Sequence, residues 1–243
     1  MKNVFIAIAL ASCSMTAQAQ EQQGSGSQDS HKWKVEAETG VSLSVLDTDV
    51  SGLPNTAYKV KPGFTIGVAA EYNAVDNLAV GIGLRFVQRD YLYQCLGIDA
   101  WETRYTNNFI SVPLTVGYYL LHNPYKEKGL WLKPQVGVYY EYFTSMHTKG
   151  TYPMNIMEGY GDDMIRIDYK STYDFSANEN HLRRSLFGGE VGIQAGYSFG
   201  CIDAFASYRY QYGFTHIYKE KSRTSKTARR NSSIITVGAS YKF

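Results

Sequence analysis

Within the stretch Asn231 to Phe243 (NSSIITVGASYKF), apolar residues fall on every second position from Ile235 onward. Ile235, Val237, Ala239, Tyr241 and Phe243 hold one phase, with Thr236, Gly238, Ser240 and Lys242 between them. A period of two marks a strand with one apolar and one polar face. Seven earlier segments repeat the pattern, with apolar phases running from Trp33 to Val45, Phe64 to Tyr72, Leu78 to Phe86, Ile110 to Leu120, Leu130 to Tyr142, Val191 to Tyr197 and Ile202 to Phe214. The connections alternate in length. Asn73 to Asn77, His122 to Gly129 and Phe199-Gly200 are short, while the others are longer, the longest from Thr144 to about Arg184. This layout predicts an all-β fold: a single eight-stranded antiparallel up-and-down transmembrane β-barrel with short periplasmic turns and long outer loops. An even strand number would place both termini in the periplasm.

Which face points outward follows from volume. An eight-stranded barrel has an interior only just wide enough for its own side chains. The apolar phase is too bulky for that space, whereas the other phase holds nearly all the strand glycines, among them Gly67, Gly81, Gly137, Gly192, Gly196 and Gly238. The apolar phase therefore faces lipid. Its aromatic residues gather in two girdles, with Trp33, Tyr72, Tyr118, Tyr197, Tyr241 and Phe243 towards one end. Phe86, Tyr140, Tyr142, Tyr210, Tyr212 and Phe214 lie towards the other. A terminal aromatic in such a strand is what barrel-assembly machinery captures, which makes Tyr241 and Phe243 the expected assembly signal.

The first 31 residues have a different character. Lys2, the apolar run Val4 to Ala11 and Ala17-Gln18-Ala19 form a signal peptide over residues 1–19. A polar, Gly/Ser-rich spacer covers 20–31 and the barrel domain 32–243. Leu10-Ala11-Ser12-Cys13 also fits a lipobox, but the later Ala-x-Ala favours cleavage after Ala19. Cys95 and Cys201 fall at opposite ends of the expected barrel, too far apart for a disulfide. The net charge of +2 gives no case for nucleic acid as a partner.

Two stretches carry a family likeness. Asn108 to Leu120 (NFISVPLTVGYYL), with its central Pro, and Tyr208 to Ile217 (YRYQYGFTHI) ahead of the last strand resemble the PorT-like outer-membrane β-barrel family of Gram-negative bacteria. The resemblance implies an eight-stranded outer-membrane barrel. It implies little about activity, since the named member is linked to protein secretion and no catalytic motif belongs to the family pattern.

The polar phase carries Lys34, Glu36, Glu38, Glu71, Arg85, Arg89, Lys133, Glu141, Glu190 and Arg209, together with Gln135, Gln194, Asp203, Gln211 and Lys242. Mixed-sign charges in a narrow lumen pair across it and form a plug; an ion path is the alternative. On the outer side, Lys219, Lys221, Arg223, Lys226, Arg229 and Arg230 make the last loop basic, at a depth suited to lipopolysaccharide phosphates. The third loop is acidic, with Glu158, Asp162, Asp163, Asp168, Asp174 and Glu179, and could neutralise the basic loop or meet a protein partner. Within it, Met164 to Lys170 alternates and would extend the barrel wall as a hairpin. His147, His181 and His216 lie at the outer rim with Ser145, Ser176, Asp174 and Glu179, but their spacing marks neither a catalytic triad nor a metal site. The expectation is a non-enzymatic barrel without metal or cofactor, in contact with outer-membrane lipid and lipopolysaccharide. Recognition by the outer loops, or a structural or secretion-associated role, would be its work. The alternatives are a lipid A-modifying enzyme and a narrow pore.

Overall fold

Each alternating segment becomes a strand with its apolar side chains on the outside. A computed structural model describes residues 32–48, 56–95, 102–155, 164–179, 181–220 and 228–243. The expected signal peptide, spacer and Cys13 lie outside the described residues. The strands are β1 (Trp33–Thr48), β2 (Thr56–Val75), β3 (Leu78–Cys95), β4 (Glu102–Tyr118), β5 (Gly129–Asn155), β6 (Met164–Thr172), β7 (Ser185–Ser198), β8 (Ile202–Gly213) and β9 (Ala228–Lys242). All pairings are antiparallel. The order is β4-β3-β2-β1-β9-β8-β7-β5, and β4 pairs with β5 to close the ring. Closure leaves no strand edge in the bilayer, where an unpaired backbone N–H or C=O would cost several kcal/mol.

The seam between first and last strands is long, from Lys34↔Lys242 to Thr48↔Ala228. Phe243 and Trp33 exchange backbone hydrogen bonds at its foot. Both ends of the barrel chain thus lie at the short-turn end, beside the β2–β3 turn, where Asp76 takes a positive φ of 35° that Asp tolerates better than branched residues. Val35, Val68, Ile82, Leu114, Val138 and Val237 are exposed, while Glu36, Thr65, Ser111, Gln194 and Thr236 are buried. The fold is inverted relative to a soluble domain, and both girdles fall on the outer face.

One element departs from the expected layout. The longest connection does not begin at Thr144. Instead β5 runs on for 27 residues, its upper part pairing with β4 from Asn108↔Ser145 to Glu102↔Thr151 and with β6 from His147↔Thr172 to Asn155↔Met164. Only β6 stands outside the ring, as a hairpin arm rising from the wall. A register shift at Asn108/Phe109 reverses the phase there and hides the extension in the sequence. Cys95 pairs with Thr56 at the long-connection end and Cys201 lies in the β7–β8 turn, which keeps the two apart.

The register also sets depth. Ile82 pairs with Leu114 about halfway along the apolar band, while Val80 pairs with Val116 two rungs nearer the Tyr72–Tyr118 girdle. Arg at Ile82 or Leu114 should cost about 2–4 kcal/mol of folding stability, and Arg at Val80 or Val116 about 0–1. Urea titration of the protein in lipid vesicles measures this. Equal losses at both depths would contradict the outward assignment of this face.

Candidate functional site

The lumen is filled in layers. Nearest the short turns, Lys34 and Glu36 from β1, Glu71 from β2 and Lys133 from β5 form a four-membered charge cluster. Lys34 Nζ lies 2.8 Å from Glu36 and 3.0 Å from Glu71. Lys133 Nζ pairs with Glu71 and stands 3.6 Å from Glu36. Each cation meets both carboxylates, so no charge is left alone in a space without bulk water. The β4–β5 connection folds inward beneath this cluster. Tyr119 Oη accepts from Lys34 at 2.6 Å and donates to Glu71 at 2.5 Å, and Tyr125 Oη donates to Glu71 at 3.0 Å. Burial, and then the Glu71 carboxylate, push both phenols well above their ordinary pKa, which keeps them donors. Lys242 Nζ closes this end, donating to Pro124 O at 2.5 Å and Ser198 Oγ at 2.7 Å, with Asp203 at 2.8 Å.

The middle layer centres on Glu38. It accepts from Arg85 Nε at 2.9 Å, Arg209 Nη1 at 2.7 Å and Thr236 Oγ1 at 2.8 Å, joining β1, β3, β8 and β9. Higher up, Arg89 donates to Glu141, to Ser232 and, at 2.6 Å, to Gln211 Oε1, while Gln211 Nε2 donates to Glu190 at 2.8 Å. A cavity of about 30 Å³ among Glu36, Glu38, Arg85, Lys133 and Arg209 has room for a water molecule rather than a passage. All ten charged residues expected in the lumen are placed there and buried.

Sequence reasoning missed the inward aromatics. Trp131, Tyr139 and Phe205 occupy the polar phase, and each sits directly across from a glycine: Trp131↔Gly196, Tyr139↔Gly188 and Phe205↔Gly238. A Cβ on Gly196 would come within 2.5 Å of the Trp131 ring, and one on Gly238 within 2.6 Å of the Phe205 ring. Glycine is what lets these rings lie flat on the neighbouring strand. Lys34 Nζ in turn stands 5.1 Å from the Trp131 ring centre, a cation–π contact in the same layer.

The outer end is closed by an apolar cap of Phe109, Phe143, Leu182 and Leu186, against which Met146, Tyr173, Phe175 and Tyr218 pack. Arg230 was expected among the headgroup-facing cations. It lies inside this cap instead, 7% exposed, its guanidinium 4.9 Å from the Phe109 ring and 4.8 Å from that of Phe143. The signal was available, because Arg230 shares its parity with the inward Thr236 and Lys242. Arg229 does face outward, donating to Tyr212 Oη in the girdle at 3.1 Å. Lys221, Arg223 and Lys226 lie outside the described residues, as do Glu158, Asp162 and Asp163.

Beside the cap, the β6–β7 and β8–β9 connections are stitched together. Leu182 bridges Tyr218, Arg183 N donates to Ile217 O at 2.8 Å, and Lys219 N donates to His181 O at 2.9 Å. Between them opens a cleft of about 430 Å³ whose walls include Phe175, Glu179, Leu182, Arg183, Arg184 and Lys219. Of these, only Lys219 and Glu179 were singled out from the sequence. Of the rim histidines, His147 meets Thr172 Oγ1 at 3.1 Å, whereas His181, 2.9 Å from Tyr173 Oη, and His216 both lie against the Tyr218 ring. Ser145 accepts from Asn108, and Asp174 accepts from the backbone of Ser176 and Ala177. No cluster of His, Cys, Asp and Glu suited to a metal ion occurs among the described residues.

A sequence profile for the outer membrane protein beta-barrel domain matches residues 17–219, and the chain belongs to that family. Similar solved structures include OprG from Pseudomonas aeruginosa, at 12% identity and a TM-score of 0.45, covering 90% of this chain and 99% of that one. The outer membrane protease OmpT from Escherichia coli has 13% identity and a TM-score of 0.47, with 91% and 99% covered. Ail, the attachment invasion locus protein of Yersinia pestis, has 11% identity and a TM-score of 0.43, with 87% and 99% covered. No curated protein matches the chain. The protein is a bacterial outer-membrane barrel.

The charge cluster makes a direct stability test. Glu71→Ala would leave Lys34 and Lys133 to share Glu36 alone. Removing one member of a buried ion pair costs about 3–5 kcal/mol, and the temperature at which the folded band disappears in unboiled gels should fall accordingly. A change no larger than that of an outer-face Val→Ala control would show that the cluster does not stabilise the barrel.

Proposed function

We propose that the protein is a non-enzymatic recognition barrel, with both termini in the periplasm and its working surface on the outer rim, where it first meets lipopolysaccharide. The observation that carries this reading is the filled lumen. Side chains from every stave meet inside it, the Tyr119–Tyr125 connection closes one end, and the Phe109–Phe143 cap closes the other. A solid rod leaves the rim connections as the surface free to act, which is where loops on a rigid scaffold usually carry function. The orientation is supported by the short turns and both barrel termini sharing one end, the periplasmic arrangement of such barrels. The PorT-like stretches at Asn108–Leu120 and Tyr208–Ile217 are compatible with a secretion-associated partner at the same rim.

Two measurements test this. Purified protein in planar bilayers should give no steady conductance, and reproducible nanosiemens channels would replace the reading with a pore. Orientation can be read from Cys201, which is free and exposed in the β7–β8 turn. In a Cys95→Ser background, a membrane-impermeant maleimide should label Cys201 only after the outer membrane is permeabilised. Labelling on intact cells would invert the topology.

A further inference from the structure

The cleft between the β6–β7 and β8–β9 connections has a chemistry of its own. Arg183, Arg184 and Lys219 line it, with Glu179 as the single carboxylate among the described residues of its wall. Arg184 is held between two rings, 4.8 Å from Tyr142 and 4.6 Å from Phe175, and its Nε donates to Phe143 O at 3.3 Å. Those contacts fix the guanidinium plane. Arg183 Nε reaches Tyr218 O at 3.5 Å, and no carboxylate pairs with either arginine among the described residues. The backbone stitches at Leu182, Arg183 and Lys219 hold the three cations in one place before any ligand arrives, which lowers the ordering cost of binding.

Height decides what such a site meets. Tyr142, which carries Arg184, belongs to the lipid-facing phase of β5, and Tyr140 and Ser185 at the same level are joined by a 3.1 Å hydrogen bond. Phe187 and Phe214 lie on the same outer girdle. Aromatic girdles mark the headgroup level of the bilayer. The cleft therefore opens where phosphates of the outer leaflet lie, and its floor of Phe175 and Leu182 is apolar. Its volume, about 430 Å³, suits a phosphorylated sugar better than a lone ion. Guanidinium forks match phosphate oxygens in geometry as well as in charge.

We propose that this cleft binds the phosphorylated sugar headgroup of an outer-leaflet glycolipid, through Arg183, Arg184 and Lys219. The inference rests on the outer rim being the working surface, and it moves the site from the basic run 219–230 to a cleft lined by Lys219 of that run together with Arg183 and Arg184. Lys219 belongs to both, whereas Arg230, the last of the run, is buried in the cap.

The test is retention of bisphosphorylated lipid A by the full-length mature protein in detergent, read by native mass spectrometry. Folding of each variant is checked by its faster migration unheated. Arg183→Ser/Arg184→Ser should lower retention at least about tenfold, since each cation near an anionic layer contributes a several-fold effect. Lys219→Ser, which touches no ring stack, should give a smaller loss in the same direction and covers the case in which the double variant does not fold. Wild-type protein should retain phosphate-free lipid A no better than the double variant does. Equal retention by folded wild-type and cleft variants would overturn the proposal. So would wild-type binding that ignores the lipid's phosphates, or binding of inorganic phosphate alone as tight as that of the lipid. A Lys221→Ser/Arg223→Ser/Lys226→Ser variant separates the two levels of inference. Loss there with retention in the cleft variants leaves rim recognition standing and removes the cleft, whereas retention in every variant removes lipid recognition at the rim as well.

Discussion

Everything in this barrel follows from the need to bury charge in a tube that excludes bulk water. Lipid surrounds the wall, so the apolar side chains face out and the polar ones have only one another. An isolated ion in such a space would be prohibitively costly. The chain meets the constraint by sharing. Glu71 serves Lys34, Lys133, Tyr119 and Tyr125, while Glu38 serves Arg85, Arg209 and Thr236. The strands contribute in no sequential order, which makes the lumen one connected body rather than a set of local pairs. Rigidity of the wall is the by-product, and it gives the rim connections a fixed base.

Much of this was legible in the sequence because both signals involved are periodic. Parity along each strand told inward from outward residues, and alternating connection lengths told one end from the other. Where parity failed to inform, the cause was a missing second dimension. Trp131 and Phe205 look like exceptions in their own strands; only the cross-strand register reveals the glycines at 196 and 238 that receive them. The upper half of β5 escaped for a different reason, since the shift at Asn108/Phe109 breaks the period just where the strand leaves the bilayer. Arg230 was legible and was grouped by charge rather than by parity.

The rim was the least legible region. Arg183 and Arg184 sit in a connection with no period at all, and nothing in their spacing says that Lys219, more than thirty residues on, comes beside them. What joins them is the bridge Leu182↔Tyr218, a contact between two connections rather than between two strands. Cation grouping by sequence proximity pointed to 219–230, whereas spatial grouping selects 183, 184 and 219. The difference matters because a clustered set can match the shape of one headgroup, while a dispersed run acts only as a diffuse field.

The β1–β9 seam has a consequence in time. Glu38 enters with the first strand, but Arg209 and Thr236 arrive only with the eighth and ninth. Lys242, likewise, is the last strand residue of the chain, and it reaches back to Pro124 in the middle of it. A partly threaded chain would therefore hold Glu38 with Arg85 of β3 as its one arginine partner, its other donors not yet having arrived. Each added strand brings some of the ionic contacts, and the last adds Lys242 to Asp203 while its ladder to β1 closes the tube around all of them. The lumen network of this barrel is therefore complete only once β9 has docked, since both Thr236 and Lys242 belong to it.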